Sequence, residues 1–161
     1  MMTTTAAKMI PVSRPTFGAA EEAGVVEVLR SGWVTQGPKV AEFEAKFAEY
    51  VGASHAVAVS SCTTALHLAL IAAGIKPGDE VLCPSLSFIA TANAIVHAGA
   101  VPVFVDIDLS TYNMDPNCIE EAITPRTRAI LAVHQIGCPA AMDEINHIAV
   151  RRELIVIEDA A

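Results

Sequence analysis

Several short apolar runs in this sequence end in side chains that could do chemistry. Ser60-Ser61-Cys62-Thr63-Thr64 follows one run, and Pro84-Ser85-Leu86-Ser87-Phe88 follows the next. Further runs end in Asp106-Ile107-Asp108, in His134-Gln135-Ile136-Gly137 and in Glu158-Asp159. The segment 60–64 precedes an apolar helical stretch. A helix N-terminus presents free N–H groups and a partial positive charge, so it can hold a phosphate, and hydroxyls at Ser61, Thr63 and Thr64 would add hydrogen bonds. The same residues also read as a plain Ser/Thr helix cap. Phe88 stands at a loop-to-helix step, where a ring either stacks on a flat ligand or packs into the core. The chain has neither GxGxxG nor GxxxxGK[ST], which disfavours dinucleotide and nucleoside-triphosphate loops.

Asp159 directly follows Val156-Ile157-Glu158, at the end of an apolar run. A carboxylate there is costly unless a cation accompanies it. The pyridinium nitrogen of pyridoxal phosphate is one such cation, and an acidic neighbour tunes that ring as an electron sink. A helix cap or an internal ion pair is the plainer alternative. Each feature alone is weak, but together they describe a phosphate cradle, a ring platform and a nitrogen partner. His134 either orients a polar group or is a satisfied structural histidine. Residues 33–37, Trp-Val-Thr-Gln-Gly, form a loop that either recognises substrate or buries in a partner subunit.

The elements that must position these groups follow from periodicity and punctuation. Residues 1–18 read as an N-terminal arm, with Pro11 and Pro15 blocking helix. A helix is expected over 19–30, ended by Ser31-Gly32. Pro38 suits the first turn of a second, whose Val40, Phe43, Phe47 and Tyr50 recur at helical spacing up to Gly52. Strands are then expected at 56–60, 80–83, 101–105, 129–133 and 154–157. Helices are expected at 63–73 (apolar nearly all round, hence buried), at 87–98, from the Asp115-Pro116 cap to 122, and at 142–152. Five apolar strands separated by helices predict an α/β domain with a mostly parallel sheet and helices on both faces. Ligands of such sheets bind beyond the carboxyl ends of the strands, where the polar groups above fall.

A formal net charge of −8 and a pI near 5.0 argue against a nucleic-acid partner, which needs clustered Lys and Arg. The four cysteines form no CxxC pair, so no zinc site is expected. The Thr- and Ala-rich start lacks the pattern of a signal peptide, and no long uncharged window marks a membrane span. A cytoplasmic address with reduced thiols is the expectation. Mean hydropathy of +0.46 with 17% charged residues fits a domain that expects more chain against it.

From about Ile10 to Ala161 the chain resembles the DegT/DnrJ/EryC1/StrS sugar aminotransferases, which have the aspartate aminotransferase fold (fold type I). The likeness is carried by Gly32-Trp33-Val34-Thr35-Gln36-Gly37-Pro38, by Ser60-Ser61-Cys62-Thr63-Thr64-Ala65-Leu66, by Pro84-Ser85-Leu86-Ser87-Phe88-Ile89-Ala90-Thr91, and by Val156-Ile157-Glu158-Asp159-Ala160-Ala161. The resemblance implies pyridoxal 5'-phosphate as cofactor. It assigns the phosphate-binding turn to Cys62, Thr63 and Thr64, the ring-stacking aromatic to Phe88 and the ring-nitrogen aspartate to Asp159. It implies transfer of an amino group, usually from glutamate, to a nucleotide-linked keto-sugar. It also implies a homodimer, with the loop carrying Trp33 and Thr35 near substrate. Residues 19–161 would then be an incomplete large domain.

Two departures carry consequences. Pro139-Ala140-Ala141-Met142-Asp143 stands where the family has Pro-Ala-Asp-Met-Asp. The family's Schiff-base lysine lies beyond the aspartate matching Asp159, and none of Lys8, Lys39, Lys46 and Lys76 takes that place. Turnover needs that amine. The 161 residues by themselves are therefore expected to be inactive, and aggregation-prone unless complemented. Alternatives are a sugar dehydratase on the same scaffold, with histidine for lysine, a non-catalytic fragment acting as an interaction module, and an unrelated α/β binding domain.

Overall fold

The structure is a computed structural model that describes Pro11 and residues 13–161. Most of the arm expected at 1–18 lies outside the described residues. The remainder, up to Gly18, is irregular. The chain divides into two compact units, one up to Ala58 and the other from Val59 to Ala161.

The first unit holds α1 (Ala19–Ser31) and α2 (Pro38–Val51). Each ends at a glycine in the left-handed region, Gly32 and Gly52, as the sequence predicts. Glu21 bonds back to the Gly18 N–H at the start of α1, and Pro38 opens α2. The apolar stripe of α2 brings Phe43 and Phe47 together, ring centroids 5.7 Å apart.

The second unit is a four-stranded, wholly parallel sheet in the order β2-β1-β3-β4, with β1 at Glu80–Pro84, β2 at Val101–Val105, β3 at Thr127–Val133 and β4 at Ile155–Asp159. The two central strands, β1 and β3, are buried almost throughout and read as continuous apolar runs. Alternate residues face opposite sides. Val81, Cys83, Ala129 and Leu131 join Leu66 and Leu70 of α3 (Cys62–Ala72) and Ile95 of α4 (Ile89–His97). Leu82, Ile130 and Ala132 join Ile119 of α5 (Ile119–Ala122) and Ile145 and Ile148 of α6 (Met142–Arg152). The sheet thus has a core and helices on each face. No helix among the described residues is long and apolar enough to cross a membrane.

Two sequence expectations are corrected. The run 56–60 is not a strand, so the sheet has four strands and not five. The apolar pattern marks an extended segment but cannot supply a ladder partner. Here the Ala58 N–H goes to the Glu44 carboxylate at 2.8 Å instead. Nor is α3 buried all round: Leu66 and Leu70, one turn apart, face the core, while Leu68 and Ile71 on the other side stay about half exposed.

Candidate functional site

The carboxyl ends of β1, β3 and β4 and the N-terminus of α3 surround a cavity of about 430 Å³. Cys62 and Thr63 come from α3, Ser87 and Phe88 from the loop after β1, His134 to Ile136 from the turn after β3, and Asp159 from the last position of β4. The expected placement at one rim therefore holds for Cys62, Thr63, Phe88 and Asp159.

At the mouth of α3, Ser61 is a true N-cap whose hydroxyl accepts the Thr64 N–H at 3.2 Å. The Thr64 hydroxyl lies 3.0 Å from that of Ser61 and 3.4 Å from that of Ser60. Thr64 is thus tied into the cap and does not line the cavity. Cys62 and Thr63 do line it, and their N–H groups precede the first acceptor of the helix. The cap reading of 60–64 is met by the Ser61 bond to the Thr64 N–H, and of the residues in the anion-site reading Cys62 and Thr63 line the cavity.

Phe88 is the N-cap residue of α4 and is 76% exposed, so its ring is not core packing. Asp159 is the opposite case, a carboxylate only 7% exposed. Its Oδ2 accepts the Thr91 hydroxyl at 2.9 Å, and its Oδ1 accepts the Ala161 N–H at 3.3 Å and the Cys62 thiol at 3.6 Å. Burial, reinforced by the charge of Asp159 and by the contact with it, pushes the Cys62 thiol above the ordinary range. Cys62 is therefore a neutral S–H donor at neutral pH and not a thiolate. No cationic side chain among the described residues comes within ion-pair distance of Asp159.

His134 is a satisfied structural histidine. Its Nδ1 accepts the Ala140 N–H at 3.0 Å, and its Nε2 lies 2.8 Å from a Glu158 oxygen. Its backbone N–H bonds the Asp159 carbonyl at 3.0 Å, which ties the ends of β3 and β4 together.

Three residues to which the sequence assigns no individual role shape the site. Thr91 sits one helical turn after Ser87, and that spacing at a helix start was the available signal. Asn113, 3% exposed, holds the turn after β3: its amide donates to the Cys138 and Pro139 carbonyls at 3.0 Å each and accepts the Gln135 N–H at 2.8 Å. Nothing local in the sequence marks contacts across 22 to 26 positions. Ile136, on that turn, is left-handed at φ 52° and 94% exposed. A β-branched residue in that conformation is an outlier, as functional rims often are.

Trp33 and Thr35 belong to the first unit and line a separate cavity of about 320 Å³ between α1 and α2. The indole N–H is committed to the Gln36 carbonyl at 2.7 Å. Gly37 lies so close beneath the ring that a Cβ there would fall 2.2 Å from the indole nitrogen. Only glycine allows this folded loop.

Relatives of known structure and name share this arrangement of elements. The chain is 54% identical over 152 residues to the spore coat polysaccharide biosynthesis protein SpsC of Bacillus subtilis, covering 94% of this chain and 39% of that protein. It matches the structure of DesV from S. venezuelae at 47% identity and a TM-score of 0.85, covering 87% of this chain and 38% of that one. It matches NtdA from Bacillus subtilis with bound cofactor PMP (pyridoxamine phosphate) at 45% identity and a TM-score of 0.84, covering 86% and 32%. The chain thus spans about two fifths or less of the length of these relatives. The DegT/DnrJ/EryC1/StrS aminotransferase family, whose members use pyridoxal phosphate, matches residues 15–161, and the chain belongs to that family.

Proposed function

We propose that residues 19–161 are the cofactor-binding part of a pyridoxal-phosphate-dependent transaminase that moves an amino group from glutamate to a nucleotide-linked keto-sugar. The observation that carries this reading is Asp159: a buried carboxylate at a cavity, held by three donors and lacking a cation among the described residues. A protonated ring nitrogen supplies the missing charge, so the residues present fit the group. When bound, the cofactor supplies an electron sink. The chain's own residues would bind and orient it. Cys62 and Thr63 turn backbone N–H groups toward the phosphate, and Thr64 holds that turn through Ser61. Phe88 offers its exposed face to the ring. Asp159 keeps the ring nitrogen protonated.

Trp33 and Thr35 contact substrate in this reading, and the working enzyme is a cytoplasmic homodimer. Among the described residues, the cavity lining contains no lysine.

The test is a titration of the chain with pyridoxamine phosphate, which has no aldehyde to react with surface lysines, followed by induced circular dichroism. Saturable binding is expected. Asp159→Asn should weaken it by about tenfold or more, since it removes a buried charge partner. Phe88→Ala should weaken it through loss of the stacked face. An absence of saturable signal in an unmodified chain that is soluble and melts cooperatively would refute the proposal.

A further inference from the structure

We infer that Thr91 is a positioning residue for the cofactor's ring nitrogen, acting through Asp159 as the middle link of a hydrogen-bond chain that starts at Ser87. This rests on the reading that Asp159 faces that nitrogen. Thr91 is 1% exposed and lies in the first turn of α4. A threonine so placed usually bonds locally or faces water. Here its hydroxyl crosses 68 positions of sequence to reach Asp159 Oδ2 at 2.9 Å. The Ser87 hydroxyl lies 2.7 Å from that of Thr91. Because the Thr91 proton is committed to Asp159, Ser87 is the donor in that pair. Protons therefore point one way, from Ser87 at the cavity wall through Thr91 to the carboxylate.

The lengths show which donor governs. The contacts to Oδ1 are 3.3 Å from the Ala161 N–H and 3.6 Å from a thiol, both long or weak. The Thr91 bond is the shortest of the three and is charge-assisted. It fixes the plane of a carboxylate whose backbone is already pinned by the His134 N–H. It also couples two parts of the site. Phe88 is the N-cap of the same helix, and its carbonyl accepts the Thr91 N–H at 3.1 Å. One turn of helix thus sets both the ring platform and, through Thr91, the orientation of the nitrogen partner.

The experiment compares two ligands on the 161-residue chain: pyridoxamine phosphate and its 1-deaza analogue, in which C–H replaces the ring nitrogen. Thr91→Val keeps the shape and removes the donor. It should weaken pyridoxamine phosphate by about tenfold, the value of one hydrogen bond to a charged group, and leave the analogue within about twofold. Thr91→Ser should restore the difference. A merely structural threonine would weaken both ligands alike, and that result, or no loss for pyridoxamine phosphate, overturns the inference. If Thr91→Val does not fold, Ser87→Ala carries the test, with a smaller selective loss of about threefold expected and equal losses overturning it. Asp159→Asn separates the two levels. If it selectively weakens pyridoxamine phosphate while Thr91→Val does not, Asp159 keeps its role and Thr91 loses its own. If Asp159→Asn shows no selectivity, or the unmodified chain, soluble and melting cooperatively, binds neither ligand, the reading of Asp159 falls and the role of Thr91 falls with it.

Discussion

Asn113→Asp tests whether hydrogen bonds or packing hold the cavity rim. The two side chains have nearly the same shape, so a packing account predicts a small effect. The hydrogen-bond account predicts a large one. Asn113 donates twice, to the carbonyls of Cys138 and Pro139, and accepts once, from the Gln135 N–H. At about 1 kcal/mol net for each bond, Asn113→Ala should cost about 3 kcal/mol. Aspartate keeps only the acceptor. It sets an oxygen against two carbonyls where the amide nitrogen had been, in a position 3% exposed. Its cost should reach about 4 kcal/mol, because a buried charge is added to two lost bonds. For a unit of roughly 100 residues, about 4 °C per kcal/mol gives a melting point lowered by about 12 °C for alanine and by more for aspartate. Circular dichroism melts measure this. Both variants should also bind pyridoxamine phosphate less well, because the released turn carries Gln135 and Ile136 of the cavity wall. If Asn113→Asp melts within about 4 °C of the unmodified chain while Asn113→Ala does not, packing governs and the reasoning is wrong.

Two further predictions use strain and charge. Ile136→Asn should stabilise the chain by about 1 kcal/mol, because asparagine tolerates the left-handed region while a β-branched residue there costs about 1–2 kcal/mol. An isoleucine that is 94% exposed returns little packing for that cost. A lower melting temperature in the variant would contradict this. Glu80, at the far end of β1, has its carboxyl held below the ordinary glutamate range, first by the Thr124 hydroxyl and then by the Arg126 guanidinium. A depressed value in the folded state adds stability above the unfolded value, and that stability is lost as pH falls through the folded one. Glu80→Gln should therefore melt lower near neutral pH and lose less on acidification. Parallel pH profiles for the two chains would remove Glu80 from the acid response.

Much of the fold was legible because it rests on local signals. The strand at 101–105 and the helix at 142–152 fall where periodicity and caps place them, and Gly32 and Gly52 end their helices as read. The failure at 56–60 has a definite physical origin. A strand exists only with a neighbour, and apolar residues in extended backbone carry no information about whether an acceptor lies alongside. Glu44 took the Ala58 N–H, and no local pattern could announce that. The surplus apolar face of α3 follows the same logic: composition says that a helix can be buried all round, while only the assembled layers decide which side is.

The site divides along that line as well. Phe88 and Asp159 were visible because strand ends are local features and an open α/β sheet gathers its strand ends at one edge, whereas Cys62 and Thr63 were visible as the Ser/Thr-rich start of an apolar helix, although the run before them is no strand. Thr91 and Asn113 were not, because each acts on a segment far away in sequence. The order of burial then argues for function better than any one residue. Burying a phenylalanine side chain is worth about 1.5–3 kcal/mol, yet Phe88 stays out. Exposing a carboxylate costs nothing, yet Asp159 goes in. Phe88 shares its exposure with Phe17, Tyr50 and Leu109, which lie outside this cavity, so the buried carboxylate is the stronger of the two signals, and it is the one on which the proposed flat cation rests.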